Sequence, residues 1–242
     1  MLSIWIKEVR GFLSSLIAYV VIAVFLLAIG LFMWIYPSTN ALDYGTAGLD
    51  TLFMMAPWVF IFLISAITMR SFAEEKKSGT IELLSTHPVT DWQIVLGKYL
   101  AGLTLVLFAL VPTLLYYYTI YKLGSPVGNI DTGATWGSYL GLVFLGSCYV
   151  SIGLLASVIT ENQIVSFILS TFFCFICFSV LGQTSELFAN VGLEYAVEWL
   201  GIEHHYQSIS RGVVDTRDVL YFLSFTAAFL GITHFIFGRK KW

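Results

Sequence analysis

The sequence predicts an all-α integral membrane protein with six transmembrane helices, and three observations carry that prediction. Of its 242 residues, 58% are hydrophobic and only 11% are charged, where a soluble domain carries roughly 25%. Charge-free windows fall at 11–42, 51–69, 99–121, 132–160, 162–185 and 219–238. Each holds a run near the ~20 apolar residues that cross about 30 Å of hydrocarbon. The charges between the windows are uneven. With the N-terminus inside, Lys7, Arg10, Arg70, Lys76, Lys77, Lys98, Arg239, Lys240 and Lys241 fall on inner segments, against Lys122, Arg211 and Arg217 outside. An excess of basic residues marks the cytoplasmic side, so both termini are expected there.

A single transmembrane domain over 1–242 follows, with spans at about 14–36, 51–70, 99–121, 136–159, 163–183 and 218–238. Ahead of the first span, Leu2, Trp5, Ile6, Val9 and Phe12 recur at helical spacing, with Lys7, Glu8 and Arg10 off that stripe. Such a segment lies flat on the membrane surface, or else extends the first span into water. The run from Phe12 to Tyr36 is 25 residues, longer than the roughly 7–15 of a signal-peptide core, and no small-x-small cleavage pattern follows it; it reads as a retained span. Residues 37–50 and 122–135 are outer turns rich in Gly, Asn, Asp and Ser, and Thr160–Gln163 is a tight inner turn. Trp34, Tyr36, Trp58, Tyr116, Tyr117, Tyr118, Tyr121, Trp136 and Tyr139 gather near the outer span ends, where amphipathic rings favour the interface. Pro57 and Pro112 read as bends in spans two and three.

Several sequence features with chemical potential have plainer readings. Cys148, Cys174 and Cys177 all fall within spans, and the "CFIC" spacing sits in an apolar helix without thioredoxin-like surroundings. In the last outer loop, 186–218, Leu193, Ala196, Val197 and Leu200 predict short helices in the outer leaflet. His204 and His205 follow Glu203 there, but adjacent residues point apart on a helix or strand, and no second ligand cluster accompanies them. The net charge of −3 gives no argument for nucleic acid.

The inner loop, 70–98, has the most local grammar. Ser71–Glu74 and Thr90–Gln93 both carry the Ser/Thr-x-x-Glu/Gln form of a capping box. Between them Ser78-Gly79-Thr80 offers a cap and Pro88 ends the helix. The result is a two- to three-turn helix, "TIELLSTH", with Ile81, Leu83 and Leu84 on one side and Glu82, Ser85 and Thr86 on the other. From pattern alone two uses stay open: closing the loop at the membrane surface, or a handle for a soluble protein.

The pattern formed by Phe72, Glu75, Gly79, Thr80, Glu82, Leu84 and Pro88, followed by Ile94 to Lys98, resembles the inner loop of ABC-2 type exporter permeases. The resemblance extends over the chain: a surface helix, six spans, and helical segments in the last outer loop. The stretch "HHYQSISRGVVDTRDVLYFLSF" narrows it to the F-subunit permeases of gliding-motility-associated ABC transporters. It implies that the loop carries a cytoplasmic coupling helix that docks on an ATPase, with Glu75, Gly79, Thr80, Glu82, Leu84 and Pro88 as coupling residues. It further implies a bacterial inner membrane, a separate ABC ATPase subunit, a second six-span permease half (identical or related) and a further membrane subunit of the same complex. ATP and Mg would belong to the ATPase; this chain would hold no cofactor or metal. Ser166, Ser170 and Thr171, on one face of span five, and Gln183 would either line a path between the halves or hydrogen-bond between helices.

The sequence itself has no G-x-x-x-x-G-K-[ST] loop; its one Gly-Lys pair, Gly97-Lys98, lacks the upstream Gly. A non-catalytic transport subunit fits that absence. An ion-coupled carrier or channel, the alternative, places ionisable groups inside its bundle, whereas the six windows hold no Asp, Glu, Lys or Arg. A serine protease would need Ser151 or Ser147 to meet His234, and on straight spans Ser151 and His234 differ in depth by roughly 7 Å.

Overall fold

A computed structural model describes residues 1–43, 45–81, 89–184 and 194–239, with 194–196 traced by backbone alone. Helices and turns, with no strands, make up the described residues. An amphipathic helix α1 (Leu2–Leu13) turns at Ser14 and Ser15 into α2 (Leu16–Trp34). Next come α3 (Asp50–Thr68), the short α4 (Ala73–Lys77), α5 (Asp91–Leu110) and α6 (Leu114–Leu123). The longest helix, α7 (Thr132–Ile159), leads to α8 (Gln163–Phe175), α9 (Leu181–Thr184), α10 (Glu194–Leu200), α11 (Ile202–Ile209) and α12 (Thr216–Arg239). Six helical stretches are long and apolar enough to cross a membrane, as the charge-free windows predict.

α7 is the core. Of its most apolar window 83% is buried, against 22% for α2 and for α12, so the other spans pack around it. Small residues make this possible: a methyl on Gly153 would lie 2.0 Å from Thr68 Oγ1, so α3 and α7 approach closely there. α12 packs through Asp218, Phe222, Thr226, Leu230 and Thr233, a row spaced by about one turn. The start of α2 and the ends of α3, α7 and α12 meet at one end of the bundle, through Arg70–Ser15, Lys76–Val158 O and Asp91–Gly238 contacts. That is the basic end. Trp34–Tyr116, Phe53–Tyr139 and Tyr117–Trp136 ring contacts mark the opposite, aromatic end.

The two prolines act differently. Pro112 sits in a 3-10 turn, Val111–Thr113, that joins α5 to α6. Pro57 lies inside α3 without ending it. The fifth span contains a π-helical turn, Ile176–Val180, between α8 and α9, which nothing in the residue pattern announced.

Three expectations need correction. The apolar stripe assigned to α1 is rotated: Ile4 and Phe12 are buried while Leu2 is 70% exposed, and Glu8, on the same i, i+4, i+8 row, faces inward to Lys98. The Ser71 capping box does not form. Phe72 precedes α4 without a local side-chain cap; the N–H groups of Phe72 and Ala73 instead donate to Ser157 Oγ, at 2.9 and 3.1 Å. Glu74 turns to Arg70. Finally, Lys98 is not a loop residue. The Thr90–Gln93 box does form, so α5 begins at Asp91 and Lys98 lies two turns inside it, 2% exposed.

Candidate functional site at the basic end

Lys98 is the centre of a charge cluster that joins three helices. Its ammonium lies 2.8 Å from Glu8 Oε1 on α1, 2.8 Å from Glu75 Oε2 on α4, and 2.6 Å from the Ser71 carbonyl oxygen. Two of the ammonium's three donors are taken by Glu8 and the Ser71 carbonyl, and Glu75 Oε2 adds an ion-pair contact without hydrogen-bond geometry. The Phe72 ring lies 5.1 Å from Nζ, an added cation–π contact. Glu75 is held from its other side by Lys7, whose Nζ donates to Oε1 at 2.8 Å. The two lysines and two glutamates sum to zero charge, which is what permits Lys98 to be buried and Glu75 nearly so, while Lys7 closes the cluster from the solvent side. Burial, the largest influence on Lys7, lowers its ammonium pKa, but the hydrogen bond and charge of Glu75, with Glu8, outweigh it and leave the pKa raised.

The local sequence explains why these groups meet. A side chain on Gly97 would lie 3.0 Å from Ile4 Cγ2 and 3.3 Å from the Met1 carbonyl. The glycine therefore lets α1 settle on α5, and the next residue, Lys98, reaches Glu8. Trp5 Nε1 donates to Thr104 Oγ1 at 3.0 Å one stretch further along α5. Beside the cluster is a cavity of about 240 Å³ bordered by Lys7, Glu8, Arg70, Glu74, Thr80 and Lys98, among others.

α4 carries Glu75 into the cluster and then stops. Ser78 Oγ donates to the Glu74 carbonyl at 2.9 Å and lies 2.9 Å from Thr80 Oγ1. Gly79 has φ +71°, a left-handed conformation that glycine takes at helix C-termini without a Cβ penalty. Ile81 follows, 5% exposed. Of the predicted coupling residues, Glu75, Gly79 and Thr80 thus lie together at the base of the segment leading to 82–88. Glu82, Leu84 and Pro88 lie outside the described residues.

The predicted pathway residues lie on the fifth span. Ser170 Oγ is 2.8 Å from Ser65 Oγ on α3. Ser166 Oγ and Thr171 Oγ1 are buried without hydrogen-bond partners, and Gln183 Nε2 donates to Ser179 Oγ at 2.8 Å. Thr171 borders an apolar groove between α3 and α8, with Trp58, Phe62, Phe167, Phe172 and Phe175. Ser151 Oγ donates to the Cys148 carbonyl and His234 stacks on Trp92 at 4.3 Å, so no Ser–His pair forms between them.

Both ring nitrogens of His205 are occupied, Nδ1 at 2.7 Å from Asp218 Oδ1 and Nε2 at 2.9 Å from the Trp199 carbonyl. That carbonyl only accepts, so Nε2 carries a hydrogen. His205 fastens α11 to α12, and no group of three His, Cys, Asp or Glu able to hold a metal occurs among the described residues.

Sequence reasoning missed Glu8, Lys7, Ser157 and the burial of Lys98. One signal was present: the Thr90 capping box starts a helix at Asp91, which already places Lys98 two turns inside it.

The family model described as "ABC-2 family transporter protein" matches residues 2–242. The chain belongs to the ABC-2 transporter family. It is similar to the protein named "Probable multidrug ABC transporter permease YbhR" of Escherichia coli (strain K12), with 27% identity over 135 residues, 56% of this chain and 33% of that protein. The counterpart in Escherichia coli O157:H7 matches to the same extent. The matched stretch thus spans about a third of the length of these relatives.

Proposed function

We propose that this permease couples ATP hydrolysis on a separate ABC ATPase to movement of its spans, and that the segment from Gly79 to Pro88 is the handle the ATPase grips. The observation that carries the reading is the charge-balanced Lys98–Glu8–Glu75–Lys7 cluster at the root of that segment. A handle transmits force only if its base is rigid. Here the base is tied to the start of α5 and to the surface helix α1, and Ser157 of the core helix caps it from a third direction.

In this reading the basic end faces the cytosol of a bacterium, the membrane is the inner one, and both termini are cytoplasmic. The basic asymmetry supports that orientation. A second six-span half, identical or related, completes the membrane unit; the weakly buried first and fifth spans, 22% and 28% over their apolar windows, leave apolar faces for it. ATP and Mg sit on the ATPase chains, since this sequence has no phosphate loop. The resemblance carried by residues 204–225 supports a gliding-motility-associated transporter, with a further membrane chain.

Orientation is tested by single cysteines at Ser78 and Asn129, both exposed and at opposite ends, in a background without Cys148, Cys174 and Cys177. An impermeant thiol reagent added from outside is expected to label Asn129→Cys alone, and the purified chain to hydrolyse no ATP by itself. Labelling of both positions from outside, or ATP hydrolysis by the isolated chain, would contradict the reading.

A further inference from the structure

Pro57 has no N–H, so the carbonyl four residues earlier, that of Phe53, loses its intrahelical donor. Within a membrane such a group must find another partner. The hydroxyl of Tyr206, on α11, donates to Phe53 O at 2.7 Å, and Tyr206 itself is 4% exposed. The carbonyl that Pro57 frees in the second span is therefore satisfied by a side chain from a different element, 153 residues away in sequence.

α11 is held to two other spans as well. Ser138 Oγ of α7 donates to the Ser210 carbonyl at 2.8 Å, Ile209 seats against Gly141, and His205 binds Asp218 of α12. Against α3, by contrast, the junction borders a cavity of about 290 Å³, lined by Met54, Pro57, Trp58, Phe178 and Gln207 among others. Packing alone leaves that side loose, and the hydroxyl–carbonyl bond is the specific link. α3 is also the element that runs on, through the turn at 69–72, into α4 and Glu75.

We infer that Tyr206 is a positioning residue of the transport cycle: its hydroxyl stands in for the N–H that Pro57 lacks and so fastens the helix at the aromatic end to the second span. Displacement of α3 from the basic end then reaches α11. This rests on the ATP-coupled reading above. α3 is the lever, the carbonyl freed by Pro57 the anchor point, and Tyr206 the attachment.

Pro57→Ala separates attachment from mere satisfaction of a carbonyl, because alanine at that position restores the N–H. The variants Tyr206→Phe, Pro57→Ala and their combination are made in the full complex with its ATPase, reconstituted in liposomes, with one cysteine at the exposed Gln207 and none of the native three. Thermal unfolding and the rate of Gln207→Cys labelling with and without ATP are read in each. Tyr206→Phe is expected to lower Tm by about 2–8 °C and to abolish the ATP-dependent difference in labelling while leaving ATP hydrolysis in place. The double variant is expected to recover Tm to within ~2 °C but not the labelling difference. Recovery of both by the double variant would make Tyr206 only a carbonyl partner. Persistence of the labelling difference in Tyr206→Phe, or its absence in the unaltered complex, would also overturn the inference. A chain that assembles with no ATPase sinks the transporter reading and the positioning role together; the Tm comparison then still reports on the bond itself.

Discussion

Lys98→Met is expected to destabilise the folded chain by about 3 kcal/mol, because it leaves Glu8 and Glu75 facing each other in a site built around a cation. The Lys98 side chain is 1% exposed, and those of Glu8 and Glu75 are 21% and 12%, so little solvent is present to relieve the repulsion. The low end of the usual cost for a broken buried pair applies, since some water does reach Glu8. For a chain of this length the change corresponds to a fall in Tm of roughly 6–12 °C, read by thermal unfolding in detergent. Removing the orphaned charges with the triple variant Lys98→Met, Glu8→Gln, Glu75→Gln is expected to recover most of it, as replacement of a whole buried ion group is often neutral. Lys7, with 60% of its side chain exposed, tolerates losing its partner. A Lys98→Met chain that unfolds at the unaltered temperature would remove the cluster from the structural account.

Glu82→Lys is expected to uncouple the complex while leaving the chain inserted and folded. Two effects favour a carboxylate at position 82. In the first turn of the predicted helix it would complement the macrodipole by roughly 0.3–1 kcal/mol, and on the predicted polar face it would be open to a basic partner. Reversal turns the second attraction into like-charge contact, which at an interface costs several kcal/mol, or about a hundredfold or more in affinity. Leu84→Asp is expected to act alike by placing a charge on the apolar face that, under the proposed coupling role, would enter the ATPase. Thr86→Lys is the control: a cation near the helix end suits the dipole, and a milder effect is expected. ATPase assembly, hydrolysis and function of the complex are the readouts. Unaltered assembly and function in both Glu82→Lys and Leu84→Asp would reduce 79–88 to a connection.

The spans were legible because lipid demands an unbroken apolar run, and that demand is local in sequence. Each of the six windows coincides with the apolar part of one membrane-length helical stretch. Thr90 was legible for the same reason, its cap partner being three residues away. What was hidden depends on partners far along the chain. Ser157 caps α4 across 85 and 84 residues, and Lys98 finds Glu8 across 90. Judged by polarity alone, Glu8 belonged on the wet side of α1 and Lys98 in the loop. Only pairing makes their burial affordable, and pairing is a property of the fold. The π-turn at Ile176–Val180 has no composition of its own, and nothing near Pro57 announced that Tyr206 would satisfy the carbonyl it frees.

The coupling role is tested most directly by a photo-crosslinking residue at position 84, introduced into the chain in its native membrane and followed by identification of the captured protein. The account predicts that an ABC ATPase subunit is captured, and that capture falls sharply when Glu82→Lys is added. Capture of lipid alone, or of no protein from an intact complex, would contradict it.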